Sequence, residues 1–308
     1  MYQELKNKNE LVRYTIAGKK DGPLVVCVHG IMGSSQDFSP FIDIWGKDYQ
    51  LLIVDIGKKQ QDRLGYGIGG RRILVEEKYS LPDIVNNSIE EPDQTLVYAL
   101  APAAIIEHLD QNFDNRPLSL VGISFGGKVC YEIAQSIPDR IRTVIATDVG
   151  LGSLCGQSQL FRHILNVIPT LNLEQPWKSL RKEIAEKVHD RMLCILLHNH
   201  LEYKDNNRNL ASWKAGAKSF FSLLKKSPLE DQWGDQGRMK ASVLILSATV
   251  NSAIEAKDLI RMKELPNFQI EALDGASHFI HVHRSEEFRN RTLDWLDRHY
   301  KETWGGLN

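Results

Sequence analysis

The 308-residue sequence predicts an α/β fold, with a mostly parallel central sheet, helices on both faces and an inserted helical cap. Three observations carry this prediction. Short runs of Val, Ile and Leu recur along the chain, and several are continuous rather than alternating, as strands buried on both faces of a parallel sheet require. Longer helical patterns separate these runs, so strand and helix alternate. One stretch, 151–235, breaks the rhythm with almost no strand signal.

Taken in order, strands are predicted at 12–16, 24–28, 51–54, 118–121, 143–147, 243–246 and 268–273. The run Gly18-Lys19-Lys20-Asp21-Gly22-Pro23 reads as a hairpin-type connection between the first two. Residues 57–93 contain Leu64-Gly65-Tyr66-Gly67-Ile68-Gly69-Gly70-Arg71-Arg72 and a polar tail, the pattern of a long excursion or an active-site loop. A helix is predicted over 125–137 and is stopped by Pro138, which can neither donate a backbone bond nor fit the next turn. Within 151–235, Leu180, Ile184, Val188, Met192 and Leu196 stand four apart and predict one apolar stripe on a helix. That stripe is expected to pack on the body, and lining an acyl pocket is compatible with the same position. A terminal helix is expected from about 285 to 299. The expected organisation is therefore a core of 1–150 and 236–308, interrupted by a cap of 151–235.

Composition narrows the function classes. Thirty-eight Lys+Arg balance 39 Asp+Glu, with no dense basic run, so the electrostatic footprint of a nucleic-acid binder is missing. Hydrophobic residues at 42% and charged residues at 25% place the chain among globular proteins. The longest apolar runs, such as 24–28 and 192–197, are far shorter than the roughly 20 residues that span a bilayer. The first fifteen residues are charged and polar, so no secretory leader is expected and the cytoplasm is the expected compartment. Cys27, Cys130, Cys155 and Cys194 have neither metal-ligand nor redox spacing and read as free buried thiols. A disulfide between Cys155 and Cys194 stays open.

Chemistry concentrates in three motifs. Gly122-Ile123-Ser124-Phe125-Gly126 follows a strand and opens a helix, which is the setting of a nucleophile elbow. Its glycines make room where strand and helix close on each other, and the helix N-terminus favours charge developing on an attacked carbonyl. The strand at 24–28 runs into His29-Gly30-Ile31-Met32-Gly33, where the amides of Ile31 and Phe125 are the expected oxyanion-hole donors. His29 is expected to be structural, as is Asp55 at the end of its strand. The third motif, Gly275-Ala276-Ser277-His278-Phe279, follows the last strand and offers an imidazole base. His281 and His283 are expected at solvent-facing positions, with the pocket rim as the alternative. His198 and His200 stand two apart and share no helix face, so no metal site is expected.

With these three motifs in this order, the chain resembles the α/β-hydrolase fold family from about Arg13 to His299. The resemblance implies Ser124 as nucleophile and His278 as general base. The third member of the triad departs from the commoner pattern. The position aligned with the acid, after the strand at 243–246, is Asn251, an amide that cannot stabilise an imidazolium by charge. Some members place the acid one strand earlier, which selects Asp148; Glu255, Asp258 or no carboxylate at all are the other readings. The expected activity is a cofactor-independent serine hydrolase acting on an ester, lactone or thioester of a small to medium apolar substrate. A cofactor-free dioxygenase or lyase using a His–Asp dyad is the second reading. A degenerate hydrolase serving as a ligand receptor is the third. The expected partner is a small-molecule substrate, with no nucleic acid and no membrane span, and a homo-oligomer is compatible with the sequence. The substrate-binding residues are not named by the sequence.

Overall fold

A computed structural model describes residues 12–31, 33–56, 94–152, 158–204, 208–214, 221, 224, 225, 229, 231–234 and 236–304. The proposed loop at 57–93 and Cys155 lie outside the described residues. Seven strands build one sheet: β1 (Val12–Gly18), β2 (Leu24–Val28), β3 (Gln50–Ile56), β4 (Leu118–Ile123), β5 (Ile141–Thr147), β8 (Ser242–Ala248) and β9 (Phe268–Leu273). Their order is β1-β3-β2-β4-β5-β8-β9; β1 runs antiparallel to β3, and every other neighbouring pair is parallel. Each predicted strand falls within one of these.

The continuous apolar runs have a geometric origin. Successive side chains of a strand point to opposite faces, so a strand covered on both faces has no solvent-facing position. In β2, Val25 and Cys27 join one buried cluster while Leu24, Val26 and Val28 join the other. In β3, Leu51 and Ile53 divide in the same way from Leu52, Val54 and Ile56. One face is covered by α1 (Ser39–Trp45) and the last helix α9 (Ser285–Trp304), through Phe41, Trp45, Phe288 and Trp295. The other face is covered by α2 (Gln94–Asn112) and α3 (Phe125–Ser136).

The connection at 18–23 departs from expectation. It is not a hairpin, because β1 pairs with β3 and not with β2. Gly18 takes φ +79 and a Cβ there would overlap the carbonyl oxygen of Tyr49, while Lys19 N–H donates to that same oxygen at 2.9 Å. The run therefore crosses the end of β3 and delivers the chain to β2 on its far side.

Between β5 and β8 the chain carries α4 (Gln159–Val167), α5 (Trp177–Val188), α6 (Arg191–Asn199) and a two-stranded antiparallel ribbon, β6 (Leu201–Tyr203) with β7 (Ala211–Trp213). Strands of three residues are too short to show a period, so the ribbon had no signal in the sequence. The apolar stripe also belongs to two helices, not one. His189 takes φ +57 at the C-cap of α5, and Asp190 caps α6 by accepting from Met192 and Leu193 N–H at 2.9 and 3.0 Å. All five stripe residues are buried, and Leu180, Ile184, Val188 and Leu196 join the cluster on the α3 face. After β8 come α7 (Ala256–Lys263) and, beyond β9, the single turn α8 (Ile280–His283).

Candidate active site

The chain leaving the carboxyl ends of β2, β4 and β9 lines one pocket. Ser124 stands between β4 and α3 with φ 51 and ψ −120, a sparsely populated conformation that survives only where its surroundings over-determine it. Those surroundings are the flanking glycines. A Cβ on Gly122 would overlap the Gly126–Gly127 backbone, and one on Gly126 would overlap the Val28 carbonyl oxygen. Helix α3 is thus pressed against β4 and β2, and the Ser124 side chain is projected into the pocket.

The turn after β2 is held by polar contacts in the core. His29 Nε2 accepts the Ile56 N–H at 2.9 Å, so Nδ1 carries the ring hydrogen and donates to the Gly30 carbonyl at 2.6 Å. Asp55 Oδ1 accepts the Ser35 N–H at 2.7 Å. Both residues clamp the loop that carries Ile31, as expected of structural groups. Ile31 and Phe125 line the same pocket as Ser124.

Three side chains from separate elements meet there. Ser124 Oγ lies 2.9 Å from His278 Nε2, and His278 Nδ1 lies 2.7 Å from Asp148 Oδ2. A carboxylate only accepts, so Nδ1 carries the hydrogen and Nε2 presents its lone pair to the hydroxyl. Asp148 is fully buried at the end of β5, with φ 47. Its Oδ1 accepts from Ala248 N–H at 3.0 Å and Ser252 O–H at 2.6 Å, and its Oδ2 accepts from Ala253 N–H at 2.7 Å. Burial pushes this carboxyl up, but His278, Ser252 and Ala253 together outweigh burial and hold it below its ordinary value.

The other acid candidates are elsewhere. Asn251 is exposed, Glu255 pairs with Lys257 at 3.0 Å, and Asp258 accepts from Trp233 Nε1 at 3.3 Å. The last residue of β8 and the segment after it instead supply three donors to Asp148: Ala248, Ser252 and Ala253. That segment also tethers the histidine loop, through Thr249 and Val250 N–H to the Ala276 carbonyl at 3.1 and 2.9 Å. Ser252 had no signal in the sequence, because its role depends on the pairing of β5 with β8.

His281 corrects its expected solvent-facing position: it is 5% exposed and lines the pocket, while His283 is exposed and bonds Ser277 Oγ at 2.6 Å. Burial, then the neighbouring His278 and His283, push His281 down to about 3. Asp37, buried beside Gly33, is a second polar wall residue that the motifs did not single out. The apolar wall is Phe161, Leu193, Leu196 and Leu224, so of the stripe only Leu196 reaches the pocket. Cys27 and Cys130 are buried free thiols and Cys194 is a half-buried one. Among the described residues no group of three or more His, Cys, Asp or Glu could hold a metal, and no helix is long and apolar enough to cross a membrane.

Fold and site together define an enzyme of the hydrolase type. Residues 25–291 match the model of the alpha/beta hydrolase family, and the chain belongs to that family. A Bacillus subtilis (strain 168) protein named "Putative 2-succinyl-6-hydroxy-2,4-cyclohexadiene-1-carboxylate synthase" is 23% identical over 305 residues, covering 92% of this chain and 95% of that protein. Among solved structures, a marine microorganism esterase superposes with TM-score 0.63 at 16% identity, covering 92% of this chain and 98% of its own. The enol-lactonase from Burkholderia xenovorans LB400 superposes with TM-score 0.55 at 15% identity, covering 93% and 96%. At these identities the structural likenesses establish the fold.

Proposed function

We propose that the protein is a cofactor-independent serine hydrolase that cleaves an ester, lactone or thioester of a small to medium, mostly apolar substrate through an acyl-enzyme. The observation that carries this reading is the continuous relay from Ser124 through His278 to the buried Asp148. Ser124 Oγ attacks the carbonyl carbon as its proton passes to His278 Nε2. The amides of Ile31 and Phe125 hold the oxyanion, and the N-terminus of α3 adds its dipole. Collapse breaks the bond to the leaving group, which takes the proton from His278. Water then attacks the acyl carbon with His278 again as base, and Ser124 leaves with the proton. Asp148 fixes the ring and stabilises the imidazolium, and its depressed pKa keeps it ionised throughout. Residues 151–235 act as a cap, with Phe161, Leu193, Leu196 and Leu224 against the acyl chain.

Intact-mass labelling with a fluorophosphonate tests the reading. One adduct is expected on the wild type and none on Ser124→Ala; a folded wild type that stays unlabelled sinks it. The strand position of the acid, on β5, also suits lyase or dioxygenase chemistry on a His–Asp dyad, and the relative from B. subtilis is named as a synthase. That second reading requires Ser124→Ala to retain most turnover and His278→Ala to lose it.

A further inference from the structure

We infer that His281 and Asp37 form a polar subsite inside the acyl pocket, and that it takes a hydroxyl group on the acyl chain of the substrate. The inference rests on the serine-hydrolase reading and deepens it by naming a substrate class, the hydroxylated acyl esters. Both residues are buried, and both line the cavity that Ser124 and His278 share. The His281 Nδ1 is buried with no hydrogen-bond partner among the described residues. A stranded buried nitrogen is rare in folded proteins, and a ligand that completes it is a sufficient reason for its retention. Neither the relay nor the anchoring of the histidine loop uses it.

The chemistry of the two groups selects the ligand. With its pKa pushed down by burial, the His281 ring is neutral and offers one N–H and one bare nitrogen. A hydroxyl also donates once and accepts, so it matches the ring in either tautomer. Asp37 lies on the same wall, with Oδ2 accepting the Ser34 N–H at 3.2 Å. A carboxylate on the acyl chain would bring only acceptors, leave the bare ring nitrogen unmet, and lie against the apolar residues Phe161, Leu193, Leu196 and Leu224. An ammonium group brings only donors and would leave the ring N–H without an acceptor.

The p-nitrophenyl esters of hexanoate, 3-hydroxyhexanoate, 6-hydroxyhexanoate, 6-aminohexanoate and adipate (as the monoester) provide the test. For the wild type, at least one hydroxylated ester should exceed hexanoate in kcat/KM by about tenfold. His281→Phe should bring that ratio close to one, and His281→Gln, which keeps a donor and an acceptor, should restore part of it. A wild-type ratio near one overturns the inference, as does a preference for the amino or adipyl ester, or a ratio that survives His281→Phe. If the Phe variant does not fold, the Gln variant and a binding measurement decide. Ser124→Ala titrated with methyl 6-hydroxyhexanoate, methyl 3-hydroxyhexanoate and methyl hexanoate should bind a hydroxylated ester about tenfold more tightly, and equal affinities overturn the inference whether or not any ester is turned over. Fluorophosphonate labelling of the wild type reports separately on the hydrolase reading, so the two failures are distinguishable.

Discussion

Replacing Asp148 by Asn tests the site most sharply, because the structure allows the amide no comfortable orientation. Each carboxylate oxygen faces two donors: Ala248 N–H and Ser252 O–H at Oδ1, and Ala253 N–H and His278 Nδ1–H at Oδ2. With the NH2 at the Oδ1 position, Ser252 can rotate to accept but the Ala248 N–H loses its acceptor. With the NH2 at Oδ2, Ala253 loses its acceptor and His278 is driven to the tautomer with hydrogen on Nε2, which cannot take a proton from Ser124. Either way a buried N–H is stranded, at about 1–3 kcal/mol of stability. In both, the imidazolium loses its counter-charge. The corresponding change in a serine protease costs about 10⁴ in turnover, or about 5.5 kcal/mol of transition-state stabilisation at 1.36 kcal/mol per decade. We expect kcat/KM for p-nitrophenyl hexanoate, and the fluorophosphonate labelling rate, to fall by about 10³ to 10⁴. Urea denaturation should place the variant about 1–3 kcal/mol below the wild type. Asn251→Asp should change the labelling rate less than about twofold, since Asn251 is exposed and outside the relay. An Asp148→Asn protein that labels within tenfold of the wild type, or an Asn251→Asp protein that labels faster, would refute the assignment.

Further outcomes follow from the same contacts. Gly126→Ala places a Cβ on the Val28 carbonyl oxygen and should destabilise by about 3 kcal/mol or abolish folding, read as a loss of the urea midpoint. His29→Leu strands the Ile56 N–H and frees the Gly30 carbonyl; it should cost about 1–3 kcal/mol in urea unfolding and lower kcat more than it raises KM, because the Ile31 amide loses its fixed position. Asp148 has its folded pKa below its ordinary value, so its stabilising contribution is complete above that ordinary value and is lost as pH falls through the lowered one. Burial holds His281 at about 3 when folded against 6.5 when unfolded, so the unfolded chain binds one more proton between those values and stability rises as pH rises across that window. The slope attributable to it is about 1.4 kcal/mol per pH unit, and the unfolding free energy of His281→Gln between pH 4.5 and 6 should be less steep by that amount.

The distance between what the sequence disclosed and what the fold arranges is instructive at the loop after β8. The elbow, the turn after β2 and the histidine loop are each short, local patterns, so Ser124, Ile31, Phe125 and His278 could be singled out from neighbours in the chain. The carboxylate partner could not be singled out with equal weight, because Asp148, Asn251, Glu255 and Asp258 differ only in which strand end they occupy once the sheet is assembled. Pairing of β5 with β8 sets Thr147 beside Leu246, and the chain emerging from each strand then lies against the other. From that adjacency Asp148 gains Ala248, Ser252 and Ala253 as donors, and Ala276 gains Thr249 and Val250. The same limit applies to β1, whose pairing with β3 and not β2 is set only in the assembled sheet. The break in the stripe was different, because Asp190 ahead of a helical run is a legible cap. The chain after β8 thus offers donors to the carboxylate at the end of β5 in place of a carboxylate of its own. His278, Ser252 and Ala253 outweigh burial and hold the Asp148 carboxyl below its ordinary value, so under the proposed mechanism a carboxylate on β5 suffices to orient His278 and none is needed at 251.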